Sequence, residues 1–529
     1  MSYRDDKLAA ARGFNTWDVY SALTHVCMPQ GYGIRFGLKD GRSGQYLSYI
    51  NPGDEKDGAV FTPGAHAPDG SYTEAQLSWR RVTIRIRTAV LGTGDFLARV
   101  DLISNESKFP PELVVEGVDL WNCGNIPMKD GRSLRFLCAD GAERTAHIVT
   151  GTEADDRYLP LSCPYVCLSL EKPVRVSIGQ YFAADDLDAM LDARESAFYA
   201  DCEKAYGEYG EAALDARSRL AWNLIYDPGY RRPMFVSSRR GSAENGGFLL
   251  SGWDGFFMGM LLAKDDPALA RVCVHAQLGG AAVLGFVSGE SAGRGVALGR
   301  SMPPVGGICL AEIYRITQDR EFAEECFELL LDWNRWWEAR RKNGECLAYG
   351  CDPFADLRTA EKIDGRSGAL LESGDPDSPL YAEENAAYDE KRDLFALHDA
   401  GLTALYAADC ACLAFLASAL GKKDEEAELS ARGAQYKAAL SALWDDENAI
   451  YRNFRTDTSA FSPALSPACL YPLLCSAPTT AQAERMTERH LSALSENAPE
   501  YVRLLLALGL RNYGMEDRLD AKKNWPTLF

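Results

Sequence analysis

Between Leu370 and Tyr381 the chain reads LLESGDPDSPLY, which places Glu372, Asp375 and Asp377 within six residues. Pro376 and Pro379 remove amide donors and fix φ, and Gly374 loosens the chain, so the stretch is an acidic loop rather than a helix. Such a loop can be a solvated turn, hold a metal, or hand a proton to a leaving group. Cleavage of a glycosidic bond needs the last of these. One carboxylic acid protonates the leaving oxygen and a second carboxylate activates water.

Four further stretches carry residues that a plain connector does not need. GGFLLSGWDGFFMGM sets Asp254 beside Trp253 in an apolar run. Burying that carboxylate is costly without partners. Asp254 is either the cap of the helix that follows or a pocket ligand, and the two roles are compatible. GRSMPPVGG holds Arg300, a structural ion-pair partner or a grip for a hydroxyl or carboxylate. LSPACLYPLL has one proline before a helix and one inside the run. Trp17–Asp18, in GFNTWDVYS, lies in a different kind of sequence and reads as structural. Together the helical loops are lined with Trp, Tyr, Asp, Glu and Arg. Aromatic planes for C–H faces and carboxylates for hydroxyls are the makings of a sugar site.

The elements that position these loops change period along the chain. Val82, Ile84 and Ile86 alternate with Thr83, Arg85 and Arg87, the pattern of a half-buried strand. PELVVEGVDLW and RVSIGQYF read the same way, and DGRSG, NPGDEKDG, APDGS and GTGD are turns. A β-sandwich is expected over 1–185. Near residue 185 the period becomes helical, with Leu187, Met190 and Leu191 on one face and Asp185 or Asp186 as the N-cap. Residues 186–210 are expected to form a linker helix. Residues 211–529 read as helices joined by short turns, including 320–342, 400–420 closed by Gly421, and 424–444.

Composition narrows the functions. The 529 residues are 47% apolar, enough for a large core, and the net charge is −20. A surface this acidic repels nucleic-acid backbones and anionic membranes. No signal peptide is read in MSYRDDKLAAARGF, and no apolar run is expected to span a bilayer. The 15 cysteines form no C-x-x-C pair and read as core residues of a reducing, cytoplasmic compartment. No H-x-x-H or H-E-x-x-H occurs among the six histidines, so no zinc site is expected.

FLLSGWDGFF, GRSMPPVGGICLAEIYRITQDREF, WNRWWEARRKNGECLAYGCDP, LESGDPDSPLY, LFALHDAGLTALYAADCACLA and LSPACLYPLL resemble, in this order, the six-hairpin glycosidases of glycoside hydrolase family 63. The mannosylglycerate-hydrolase-like branch is the most similar, with trehalases and amylo-α-1,6-glucosidases further off. The resemblance implies an (α/α) toroid behind the sandwich, inverting hydrolysis of a small α-linked glucoside or mannoside, and no cofactor. It implies that Trp253, Asp254, Arg300 and Tyr381 hold the sugar, and that Glu372 binds a hydroxyl or sets the acidic loop. The family's loop reads E-S-G-x-D-x-S-P with its Asp as general acid. Here Pro376 stands at that position, so Asp377, then Asp375, is the expected acid. The family's R-G-x-x-W segment and later base glutamate have no match before the chain stops at KKNWPTLF. A catalytically impaired sugar-binding paralogue, or a truncated form, is the alternative. An epimerase-like isomerase would need histidines, and only His275 and His398 lie near these motifs.

Overall fold

A computed structural model describes residues 16–157, 159, 161–207, 210–229, 231–240, 248–292, 295–352 and 363–519. The segments MSYRDDKLAAARGF and KKNWPTLF lie outside the described residues. The chain forms two compact units, Met1–Leu249 and Leu250–Phe529.

The first unit is built on two antiparallel sheets. The seven-stranded sheet runs Thr16–Asp18, Ser21–Cys27, Tyr32–Lys39, Glu112–Asp119, Tyr165–Ser169, Thr152–Glu153, with Tyr46–Leu47 paired to Tyr32–Lys39. The eight-stranded sheet runs Ile126–Asp130, Ser133–Leu137, Glu143–Thr150, Val174–Ile178, Phe96–Asn105, Val82–Val90, Thr73–Trp79, Val60–His66. Alternation explains the packing. Ile34, Phe36 and Leu38 of one sheet join Ile84, Ile86 and Val100 of the other in one buried core, as expected of a sandwich.

Helix Ala184–Tyr206 starts where the period changes. Its N-cap is Ala183 rather than Asp185 or Asp186, which sit in the first turn where the helix dipole favours them. Leu187 and Leu191 pack with Ala89 and Leu97, as the apolar face required. The acidic face meets three arginines from neighbouring strands. Arg87 pairs with Asp192 at 2.9 Å and Glu195 at 2.8 Å, while Arg99 and Arg175 reach Asp188 at 2.8 and 2.6 Å. These contacts fasten the helix to the eight-stranded sheet. The helix lies within the first compact unit, Met1–Leu249.

The second unit is made of helix pairs. Helix Asp254–Leu262 is followed by Pro267–Leu278, Gly306–Thr317 by Arg320–Arg341, and Ala400–Leu420 by Lys423–Ala439. Local chemistry sets the turns. Asp266 and Asp319 cap the second helix of their pairs by accepting from Leu269 and Phe322 amides. Gly421, at φ +79°, closes Ala400–Leu420 in the left-handed conformation. This is the paired-helix construction expected of the toroid. Helix Ala400–Leu420 is its spine, packing against Lys423–Ala439, Arg320–Arg341 and Gly306–Thr317. One expectation is corrected here. The segments 267–284 and 400–420 are both long and apolar enough to cross a membrane, but are 56% and 83% buried within the protein. All fifteen cysteines are free thiols, most of them buried.

Helix Gly306–Thr317 has no side-chain cap of its own. Its N-terminus is capped from the spine instead: Gly307 donates to Asp409 Oδ1 at 2.7 Å, and Asn334 donates to Oδ2 at 2.8 Å. A Cβ at Gly307 would lie 2.7 Å from that carboxylate oxygen, so a close approach requires glycine. Burial raises the Asp409 pKa to about 7, against the hydrogen bonds that lower it. The folded state therefore binds a proton that the unfolded chain, with an aspartate near 3.8, releases earlier. This contribution to stability is fully present below pH ~4 and is lost as pH rises through about 7, a change on the order of 4 kcal/mol. Urea midpoints of the wild type should fall across that window relative to Asp409→Asn, whose own profile lacks this slope. Parallel profiles for the two proteins would refute the assignment.

Candidate functional site

The acidic loop is held from below by a buried ion pair. Glu372 ends helix Gly365–Glu372 and is wholly inaccessible to solvent. Arg341, at the end of Arg320–Arg341, grips it with two bonds, Nε to Oε2 at 2.6 Å and Nη2 to Oε1 at 2.7 Å. The Ser301 amide donates to Oε1 at 2.9 Å and the Gly350 amide to Oε2 at 2.8 Å. A planar fork on a carboxylate fixes orientation as well as charge. Glu372 thus ties together GRSMPP, LAYGC and LESGDPD, three segments from the stretches that carry the family resemblance. The same knot is reinforced by Trp333, whose Nε1 donates to Ser301 Oγ at 2.8 Å. Ser301 Oγ in turn donates to Val287 O at 2.6 Å. Arg300, next in the chain to Ser301, is buried, and its carbonyl accepts from Gly289 at 3.0 Å.

Above this knot Gly374 turns the chain at φ +73°, a conformation that favours glycine. A Cβ there would sit 2.5 Å from the Trp253 ring and 3.1 Å from Met302 Cε. The turn therefore lies directly on Trp253. Trp253 is the N-cap of helix Asp254–Leu262, and Asp254 is its first residue, where the helix dipole favours a negative charge. The expected capping role thus falls to the residue before Asp254. Tyr501, on helix Glu500–Arg511, packs its ring 4.7 Å from Trp253 and donates to Gly374 O at 3.4 Å.

The two candidate acids differ in surroundings. Both residues are exposed overall. The Asp375 carboxyl is nonetheless crowded enough that desolvation raises its pKa, opposed by a Ser378 hydrogen bond and reinforced by the charge of Asp377. Its own charge helps to raise the phenols of Tyr471, Tyr501 and Tyr381. Asp254 acts on Tyr501 as well. Asp377 is not among the charges that shift Tyr471 or Tyr501. Asp375, Asp254, Trp253 and Tyr501 therefore share one neighbourhood.

Tyr381 stands behind it. It is buried, stacks on Phe395 at 5.4 Å and donates its hydroxyl to Asp399 Oδ2 at 2.9 Å. Asp399 caps helix Ala400–Leu420 through the Leu402 amide at 2.8 Å and accepts from Asn453 at 3.2 Å. Of the histidines weighed for an isomerase, His275 lies 3.0 Å from Glu325, while His398 packs near Phe454. Among the described residues no group of three or more His, Cys, Asp or Glu could hold a metal ion.

The sequence reading missed Arg341 and Tyr501. Arg341 lay inside the quoted stretch WNRWWEARRKNG, but nothing there distinguished it from Arg340. Tyr501 opens a leucine-rich amphipathic helix and carried no signal at all.

Residues 241–499 match the family model of the mannosylglycerate hydrolase MGH1-like glycoside hydrolase domain. No curated protein matches the chain. Among solved structures, the chain is similar to a GH63 mannosylglycerate hydrolase from Thermus thermophilus in complex with glucose. That likeness has 18% identity and a TM-score of 0.41, covering 52% of this chain and 83% of the other. The neutral trehalase Nth1 from Saccharomyces cerevisiae has 15% identity and a TM-score of 0.43, covering 55% and 66%. A bacterial glucoamylase complexed with acarbose has 10% identity and a TM-score of 0.42, covering 91% and 78%.

Proposed function

We propose that this protein, whose residues 241–499 match the family model of the MGH1-like glycoside hydrolase domain, hydrolyses a small α-linked glucoside or mannoside with inversion. Asp375 is the general acid in this reading, ahead of Asp377. The observation that carries it is the seating of the Gly374–Asp375 turn against Trp253 and Tyr501, where desolvation raises the Asp375 carboxyl. A carboxyl that keeps its proton to higher pH is suited to protonating a leaving oxygen. The proton passes from Asp375 to that oxygen as the glycosidic bond breaks, and water adds at the anomeric carbon from the opposite face, giving up one proton to solvent.

Trp253 offers an aromatic edge and Asp254 an acceptor for sugar hydroxyls, with Arg300 beside the loop. Glu372 and Tyr381 serve as supports, since Arg341 and Asp399 already occupy their polar atoms. The matching family model is that of a mannosylglycerate hydrolase-like domain, so mannosylglycerate heads the list of compounds to try, followed by α-glucosides and α-mannosides. Proton NMR of the first product formed tests the reaction. Initial release of the β-anomer supports inversion, and initial release of the α-anomer contradicts it.

A second reading, sugar binding without turnover, is favoured by Pro376 at the place of the expected acid. Under it, a sugar would raise the unfolding temperature with no product formed.

A further inference from the structure

We propose that Tyr501 is a positioning residue for Asp375: its hydroxyl holds the Gly374 carbonyl and its ring closes the aromatic wall that Trp253 begins. The inference rests on the reading of Asp375 as the acid. Tyr501 lies just beyond the last residue matched to the family, 499.

The turn that carries Asp375 is restrained locally by short-range bonds, two of them at Asp375 itself. The Asp375 amide donates to Ser373 Oγ at 3.1 Å, and the Ser378 amide donates to Asp375 O at 3.0 Å. Neither ties the turn to other elements, and the Glu372 knot holds the chain two residues before Gly374. Trp253 and Tyr501 tie the turn itself. Trp253 lies under Gly374 so closely that no Cβ fits, and Tyr501 reaches the Gly374 carbonyl across 127 residues of chain. The peptide that enters Asp375 is thus held between an indole edge and a phenol hydroxyl. The Tyr501 ring also contacts Phe257 at 6.0 Å, so it bridges the turn to helix Asp254–Leu262.

The helix that presents Tyr501 is itself anchored. Arg511 pairs with Glu312 at 2.6 Å, and Asn512 donates to Leu473 O and Leu474 O at 3.1 and 2.9 Å. Burial, with the charges of Asp375 and Asp254, raises the Tyr501 phenol, so it stays a neutral donor across the working range. A displacement of about 1 Å at a reacting group can cost about a hundred-fold in rate. Loss of one weak restraint is expected to cost about ten-fold.

The test compares wild type, Tyr501→Phe, Tyr501→Ala and Asp375→Asn. It measures kcat, KM and the pH profile, and titrates the Asp375 carboxyl by NMR in protein labelled with ¹³C-aspartate. Tyr501→Phe keeps the ring, so kcat should fall about ten-fold with KM and the titration little changed. Tyr501→Ala admits water to the carboxyl, so its titration should move to lower pH. Wild-type kcat in Tyr501→Phe overturns the role of the hydroxyl. An unmoved titration in Tyr501→Ala overturns the role of the ring. Activity retained in Asp375→Asn sinks the acid assignment instead and leaves the titration to judge the ring's role. If no substrate is turned over, the titration alone decides, and an unmoved carboxyl refutes the proposal.

Discussion

Asp375→Asn is expected to lower kcat on an unactivated α-glycoside by about 10²- to 10⁴-fold, the usual contribution of a general acid. Asp377→Asn should cost less than about ten-fold, because in this reading Asp377 bears on the reaction through its charge on Asp375. The substitution at 375 keeps the size of the side chain and removes only the proton to be given. An α-glycoside with a good aryl leaving group needs that proton little, so Asp375→Asn should lose much less on such a substrate. The pH profile supplies an independent check. Activity should fall on the alkaline side as Asp375 loses its proton. Desolvation and the charge of Asp377 raise its pKa above the usual aspartate value of 3.8 despite the Ser378 hydrogen bond, so that limb should lie higher than for an ordinary aspartate. In Asp377→Asn the limb should move to lower pH, because one of the charges that raises it is gone. Equal losses at 375 and 377, with no difference between leaving groups, would refute the assignment.

Glu372→Ala is expected to destabilise the helical unit by about 3–5 kcal/mol, the cost of breaking a buried ion pair by removing one partner. Among the described residues, the change leaves Arg341 hydrogen-bonded to carbonyl acceptors only, Gly299 O at 3.3 Å and Arg340 O at 3.3 Å. It also strands the amides of Ser301 and Gly350, which donate to Glu372 in the native fold. Replacing both charges, as in Glu372→Leu with Arg341→Met, removes the uncompensated guanidinium and should recover part of the loss. Urea unfolding of the single and double variants measures both quantities. A loss below about 1 kcal/mol for Glu372→Ala would mean that Glu372 is not the knot described above.

Much of the fold was legible because it rests on period. The strand at Val82–Val90 and helices Arg320–Arg341 and Ala400–Leu420 follow from alternation, helical spacing and a closing glycine. Their side chains meet the core on the faces the pattern marks. The site was legible only as a set of loops. Sequence order placed Glu372, Asp375 and Asp377 within one turn, but not which of them is closed off. Glu372 is sealed by Arg341 from another helix, and Asp375 gains its surroundings from Tyr501, 126 positions further on. Long-range pairing of this kind has no period and no spacing. The seat of helix Ala184–Tyr206 was hidden for a related reason. The arginines on Val82–Val90, Phe96–Asn105 and Val174–Ile178 look like the polar face of a strand until the acidic helix Ala184–Tyr206 is laid against them.

In the proposed reaction the helical unit cleaves an α-glycosidic bond with Asp375 as its acid. Sugar release from mannosylglycerate, α-glucosides and α-mannosides, by the 529-residue protein and by its Asp375→Asn variant, tests it most directly. The expected result is turnover of at least one compound by the wild type and its near-complete loss in the variant. Sugar that binds and raises the unfolding temperature, with no product from any compound, would contradict the claim and establish the protein as a binder.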